Sequence, residues 1–233
     1  MKLEESQNIV WGISGKGDGR MKMLETSDEE ARENRGRFFG QLGLAPENIV
    51  SAGLVHSNRV AAIKDALVPV IAETDALVTD RKGLVLSLTV ADCAPLYFYD
   101  PKRQAVGLAH AGWKGVVGNI GGETVARLRS EFGSQSADIM VLVGPHIRKC
   151  HFEVQEDVAS QFADFGDSME SRDDKTYIDL SAVILKQLAA AGVREENISL
   201  SPECTFCEDN KYFSYRRDKP ARLEAMAAYI GLK

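Results

Sequence analysis

Histidine and cysteine are both scarce in this 233-residue chain, which has four of each: His56, His110, His146 and His151, with Cys93, Cys150, Cys204 and Cys207. That scarcity confines metal and nucleophile chemistry to a handful of positions. Long apolar runs are also missing. The longest stretch without Asp, Glu, Lys or Arg is Asn48 to Asn58, 11 residues, against the ~20 apolar residues a bilayer-spanning helix needs. The opening MKLEESQN carries no apolar signal core, so a cytoplasmic protein with no membrane partner is expected. Basic runs are absent, and 28 cationic against 34 anionic residues leave a net charge of −6. Nucleic acid held by phosphate neutralisation is therefore not expected. In such a chain the cysteines read as thiols, not as a disulfide framework.

No repeat of 20–50 residues and no low-complexity segment appears, so solenoids are set aside. Hydrophobic content of 44% and charged content of 27% are those of a globular protein, and no linker divides the chain, so one domain over 1–233 is expected. Asn8 to Ile13 reads as a strand, followed by the glycine-rich Gly12 to Gly19. Ser27-Asp-Glu-Glu30 reads as a capping box opening a helix that ends near Leu42, with Gly43 as its C-terminal cap. Strands are predicted at Ile49–Val55, Ala76–Val78, Leu84–Val90, Leu96–Tyr99, Ala105–Ala109 and Ile139–Val143. Asp100-Pro101 is read as a turn. Helical spacing marks Ile120 to Phe132, Val158–Phe165 and Leu180–Ala191. Strands in the middle with helices at the flanks give an α/β or α+β class built in layers around a mixed sheet.

His56, Cys93 and His110 each follow a predicted strand, where α/β folds place ligand-binding groups. Two imidazoles and a thiolate make a three-ligand zinc site with the fourth position open to water. Their separations of 37 and 17 residues match no compact zinc motif, so a buried thiol beside two hydrogen-bonded histidines stays open as the alternative. Cys204-x-x-Cys207 lacks a second CxxC, which excludes a closed tetrathiolate, and its Thr-Phe spacer gives a thioredoxin-like role little support. The pair reads as incidental thiols. The stretch 12–19 lacks the Lys-Ser/Thr ending of a phosphate loop and is weak evidence for a nucleotide phosphate, with an active-site flap left open as the alternative. Gly144-Pro-His146 reads as a turn. Lys114, Arg216 and Arg217 are the basic groups expected to meet an anionic substrate, with surface ion pairs as the alternative.

Seven segments taken together resemble the YfiH family, labelled laccase-like or multicopper polyphenol oxidase. They are Val55-His56-Ser57, Asp75-Ala-Leu-Val-Thr79, Thr89-Val-Ala-Asp-Cys93-Ala-Pro95, Ala109-His110-Ala-Gly-Trp113-Lys-Gly115, Val143-Gly-Pro145, Phe152-Glu-Val154 and Phe213-Ser-Tyr-Arg-Arg-Asp218. The matches run in order from about Trp11 to an expected C-terminal helix. The resemblance implies a layered αββα sandwich like that of the cytotoxic necrotizing factors, and zinc on His56, Cys93 and His110. It further implies phosphorolysis of adenosine, inosine and methylthioadenosine, with adenosine deamination besides. Some relatives are linked instead to amidase editing of peptidoglycan precursors. Leu54, Ser57, Lys114 and His151 depart from the usual pattern.

The laccase label fails a count. Four histidines with no His-x-His pair cannot furnish both a blue-copper centre and a further copper cluster. Zinc lowers the pKa of a bound water toward ~7, which suits deamination, with Asp92 beside Cys93 as the proton-carrying carboxylate. For phosphorolysis Arg35, Lys114, Arg216 and Arg217 are the cations available to phosphate. The rivals are a Cys93/His110 amidase and a non-catalytic module that binds metal or nucleoside.

Overall fold

Alternation along the strand Ala94–Asp100 sets the layering. All seven of its residues are buried, and successive side chains point to opposite faces. Leu96 and Phe98 join one apolar cluster, while Tyr97 and Tyr99 join another. In this computed structural model, which describes residues 2–22 and 28–233, that strand lies in a six-stranded sheet. Its order is Ile198–Leu200, Met140–Val143, Ala94–Asp100, Ala105–Ala111, Ala76–Thr79 and Val60–Ala62. The two outer pairs are parallel and the central three pairings antiparallel.

A second, five-stranded mixed sheet runs Ile9–Ile13, Met226–Leu232, Val85–Val90, Ile49–Gly53 and Val70–Ala72. Leu86, Leu88 and Ile230 of this sheet share a cluster with Tyr97, Leu108 and Leu142 of the first. The outer face of the six-stranded sheet is covered by the helices Ile120–Phe132 and Leu180–Ala190, through Leu128, Val183, Ile184 and Leu188. The outer face of the five-stranded sheet packs Ile49, Val85 and Tyr229 against Phe39 of the helix Glu29–Gln41. The layers are thus helix, sheet, sheet, helix, the αββα order expected. A small antiparallel sheet of Glu153–Val154, Lys175–Ile178 and Met169–Arg172 lies beside them. Among the described residues no helix is long and apolar enough to cross a membrane.

Three local expectations are corrected. The proposed capping residue Ser27 lies outside the described residues, and the helix is capped by Asp28, whose carboxylate accepts from the Ala31 N–H at 3.3 Å. The expected helix Val158–Phe165 is one α-turn, Glu156–Ala159, followed by a 3-10 stretch broken at Phe165. Between Val158 and Phe165 the buried residues are Ala159 and Phe162, a small apolar stripe, and Ser160, Asp164 and Gly166 are weak helix formers. The C-terminal segment is a strand, not a helix. Met226–Leu232 sits between two strands and is buried throughout, so ladder hydrogen bonds and burial on both faces override the helical preference of its alanines. Leu88, between the sheets, tests the sandwich. Leu88→Ala should cost about 2–5 kcal/mol in urea unfolding, while Leu67→Ala, on an exposed loop, should stay within about 0.5 kcal/mol.

A Cys-His cluster at the sheet crossovers

The chain passes from the five-stranded to the six-stranded sheet three times at one end of the sandwich. The crossing after Ile49–Gly53 carries His56, that after Val70–Ala72 carries Asp75, and that after Val85–Val90 carries Cys93. His110 is the penultimate residue of the strand Ala105–Ala111. The structure brings the three together, with their ligand atoms within 4.8 Å of one another and the two imidazoles crossing at 79°. His56 and Asp92 both have positive φ, 60° and 86°, a strained conformation for residues with a Cβ. Hydrogen bonds hold each one there.

Asp75 supplies the first set. It is buried, and it accepts from the backbone N–H groups of Val55, His56 and Ser57 at 3.2, 3.0 and 2.7 Å and from the Ser57 hydroxyl at 2.8 Å. Its Oδ1 also lies 3.0 Å from His110 Nδ1. Burial alone would raise the Asp75 pKa, but the bonds from His110 and Ser57 outweigh it and hold the carboxyl well below the usual range. A carboxylate on one ring nitrogen fixes the tautomer and leaves the other nitrogen for a ligand. Burial also pushes against charge at Cys93 and His110, yet each stabilises the other's ion. With His56 assisting, the Cys93 thiol falls to about 6. The Cys93 thiolate and Asp75 raise His110 to about 9.

Space for an ion comes from Gly112. A Cβ added there would sit 3.0 Å from Cys93 Sγ, 3.3 Å from His56 Cδ2 and 3.6 Å from His110 Cε1. The donor set and the hollow therefore fit zinc.

Asp92, expected as a proton carrier, has a carboxylate that accepts three hydrogen bonds. Its Oδ1 accepts from the Thr205 hydroxyl at 2.7 Å, and its Oδ2 from the Ser214 hydroxyl at 3.0 Å and the Arg216 N–H at 2.7 Å. Its backbone carbonyl accepts from Ile147 N–H. These bonds tie the segments 144–152 and 201–216 to the Cys93 turn.

The cluster opens on a cleft of about 470 Å³ lined by Trp113, Phe152, Tyr215, Arg216 and Lys22 among others. Of the four cations expected to meet phosphate, only Arg216 is here, its guanidinium over the Phe152 ring and donating to the Glu153 carbonyl. Arg217 donates to the carbonyls of Thr205, Phe206 and Tyr212 and to Asp218, so it braces the loop. Arg35 donates to Ser51 beneath the helix Glu29–Gln41, and Lys114 lies over Trp113 outside the cleft lining. Lys22 was not singled out by any motif; burial and the charge of Arg35 lower its pKa. The glycine-rich 12–19 is a pinned turn and not a flap, with Ser14 buried and Lys16 N–H bonded to the Lys211 carbonyl.

A profile described as multi-copper polyphenol oxidoreductase laccase matches residues 21–233. The chain belongs to this family. Family relatives include the purine nucleoside phosphorylase of Deinococcus radiodurans, 36% identical over 95% of this chain and 85% of that one. Purine nucleoside phosphorylase YlmD of Bacillus subtilis is 31% identical over 99% and 91%. Among solved structures of the family fold, Bacillus licheniformis hypothetical protein YfiH superposes with a TM-score of 0.91 at 30% identity, over 99% of this chain and 95% of that one. YlmD from Geobacillus stearothermophilus gives 0.88 at 30%, over 97% and 93%.

Two measurements check this geometry. Gly112→Ala, whose backbone at φ −71° tolerates a side chain, should fold normally yet lose about tenfold or more in metal affinity, read by competition with a chelating dye. In chelated protein, alkylation of Cys93 followed by peptide mass spectrometry should rise from low pH, reach half its plateau near pH 6, and stay flat from pH 7 to 9. A rate still climbing at pH 9 would describe an ordinary thiol.

Proposed function

We propose that the chain is a zinc-dependent purine nucleoside phosphorylase that converts adenosine, inosine or methylthioadenosine and phosphate to free base and sugar 1-phosphate, with adenosine deamination as a second activity. The observation that carries this is the convergence of His56, Cys93 and His110 on the floor of a cleft whose walls are aromatic and cationic, in a chain whose relatives bear that name along most of their length.

Trp113, Phe152 and Tyr215 offer flat apolar surface to a purine. Arg216 and Lys22 bring positive charge to a phosphate dianion, the guanidinium in a form suited to paired hydrogen bonds. In phosphorolysis a phosphate oxygen bonds to C1′ of the sugar as the C1′–N9 bond breaks, and the departing base takes up a proton. Zinc held by His56, Cys93 and His110 would supply a Lewis acid and lower the pKa of a bound water. Asp75 keeps His110 in one tautomer, and Asp92 holds the Arg216 backbone against the turn that carries Cys93. The copper chemistry in the family's description finds too few imidazoles: His146 is buried, bonded to the Gly144 carbonyl and the Ser181 hydroxyl, and His151 lies in a different cluster.

One observation favours a second reading. Asp75, His110 and Cys93 form a carboxylate–imidazole–thiolate series like that of cysteine amidases. A single experiment separates the two. Inosine with zinc-loaded protein should give hypoxanthine and ribose 1-phosphate only when phosphate is present, and Arg216→Ala should lose about 10- to 100-fold in kcat/KM for phosphate. Equal base release without phosphate would make the enzyme a hydrolase. Full activity in His56→Ala beside a dead Cys93→Ala would overturn the zinc reading in favour of the amidase.

A further inference from the structure

The pair Cys204 and Cys207, read from sequence as incidental thiols, lies against Cys150 and His151, and the four ligand atoms sit within 4.8 Å of one another. Cys150 Sγ is 3.6 Å from Cys204 Sγ and 3.8 Å from Cys207 Sγ. His151 Nδ1 is 3.2 Å from Cys150 Sγ and 3.4 Å from Cys207 Sγ. A tetrahedral zinc bonded at ~2.3 Å to sulfur and ~2.0 Å to nitrogen separates two sulfurs by about 3.8 Å and sulfur from nitrogen by about 3.5 Å. The observed spacings match that tetrahedron. A disulfide closes two sulfurs to ~2.05 Å and leaves the third without a partner.

From this geometry we infer that Cys150, His151, Cys204 and Cys207 form a second metal site, a closed Cys₃His zinc centre that fastens two loops behind the cleft. All four positions are filled by protein, the mark of a structural site, in contrast to the three-ligand cluster at His56, Cys93 and His110. Binding displaces the thiol protons and leaves three thiolates on one Zn²⁺, a net charge of −1. The Arg148 N–H, 3.4 Å from Cys204 Sγ, donates toward that charge. The imidazole of His151 is stacked on Phe206 at 3.9 Å and 12°, which fixes the direction of its Nδ1.

The backbone has already brought the two loops together. His146 pairs with Cys204, Thr205 N–H bonds to the His146 carbonyl, and the Arg148 guanidinium bonds to the Ser201 carbonyl at 2.6 Å. Phe152, next to His151 in sequence, is a wall of the cleft. Thr205, between Cys204 and Cys207, holds Asp92. A metal here therefore stiffens that wall without touching the reacting groups, and the inference stands whether or not the phosphorylase reading is right.

The test uses the full chain, purified without a histidine tag from zinc-supplemented medium, with metals measured by mass spectrometry. Wild type should carry about two zinc ions, and His56→Ala/Cys93→Ser should retain about one. Cobalt loaded into that double variant should show strong thiolate charge transfer and the intense visible bands of four-coordinate cobalt. Alkylation mapping of wild type needs no variant: Cys150, Cys204 and Cys207 should be shielded together, and chelation should expose them together. Hydrogen exchange across 147–152 and 201–212 should rise in the same step. Well below half an equivalent of zinc in the double variant would overturn the inference. So would iron or copper in its place, or a Cys150–Cys204 disulfide in the native protein.

Discussion

A single buried carboxylate organises the reactive end of this molecule. Asp75 sits just before the strand Ala76–Thr79, next to its neighbour Ala105–Ala111, and its two oxygens gather the 55–57 turn and the His110 ring. A buried charge is costly unless its lone pairs are used, and here the donors come from the turn that carries His56 and from the His110 ring. The positive φ of His56 is affordable because its own N–H is one of those donors. Asp75 thus acts on backbone geometry and on imidazole tautomer at once.

Asp92 does the corresponding work on the crossover that carries Cys93. Its carboxylate collects donors from residues 205, 214 and 216, more than 110 positions away in sequence, the last of them in the cleft wall. Two aspartates so placed explain how two crossover turns and one strand end hold a three-residue ligand set. The chemistry follows from charge balance. A thiolate and an imidazolium side by side stabilise one another against burial, and a divalent cation held by the same residues would take the imidazolium's place as the thiolate's counter-charge.

Family membership and structure pull apart on one point. The family description names a multi-copper oxidoreductase, while the relatives' names describe nucleoside phosphorolysis. The ligands available weigh against several coppers: two imidazoles and one thiolate meet at the cleft, and the other two histidines are bonded elsewhere.

Much was legible in the sequence because it is local. Strand periods, the helix stops at Gly43 and Gly192 with φ of +70° and +87°, and the positions of His56, Cys93 and His110 just past strands can all be read from neighbours a few residues away. The αββα order came from the resemblance that those segments carry. Other features depend on distances that only folding closes. Asp75 lies 35 residues from His110, Cys150 lies 54 from Cys204, and Asp92 lies 124 from Arg216. Lys22 reaches the cleft with no motif around it, while Arg217 has a motif and turns away to brace backbone carbonyls. The strand fate of Met226–Leu232 was likewise settled by two partner strands, since alanine, methionine and leucine favour a helix when nothing lies beside them. Sequence determined which residue types were available and where the chain could turn. The tertiary structure decided which of them met, because a hydrogen bond or a metal site reads only distance and direction in space.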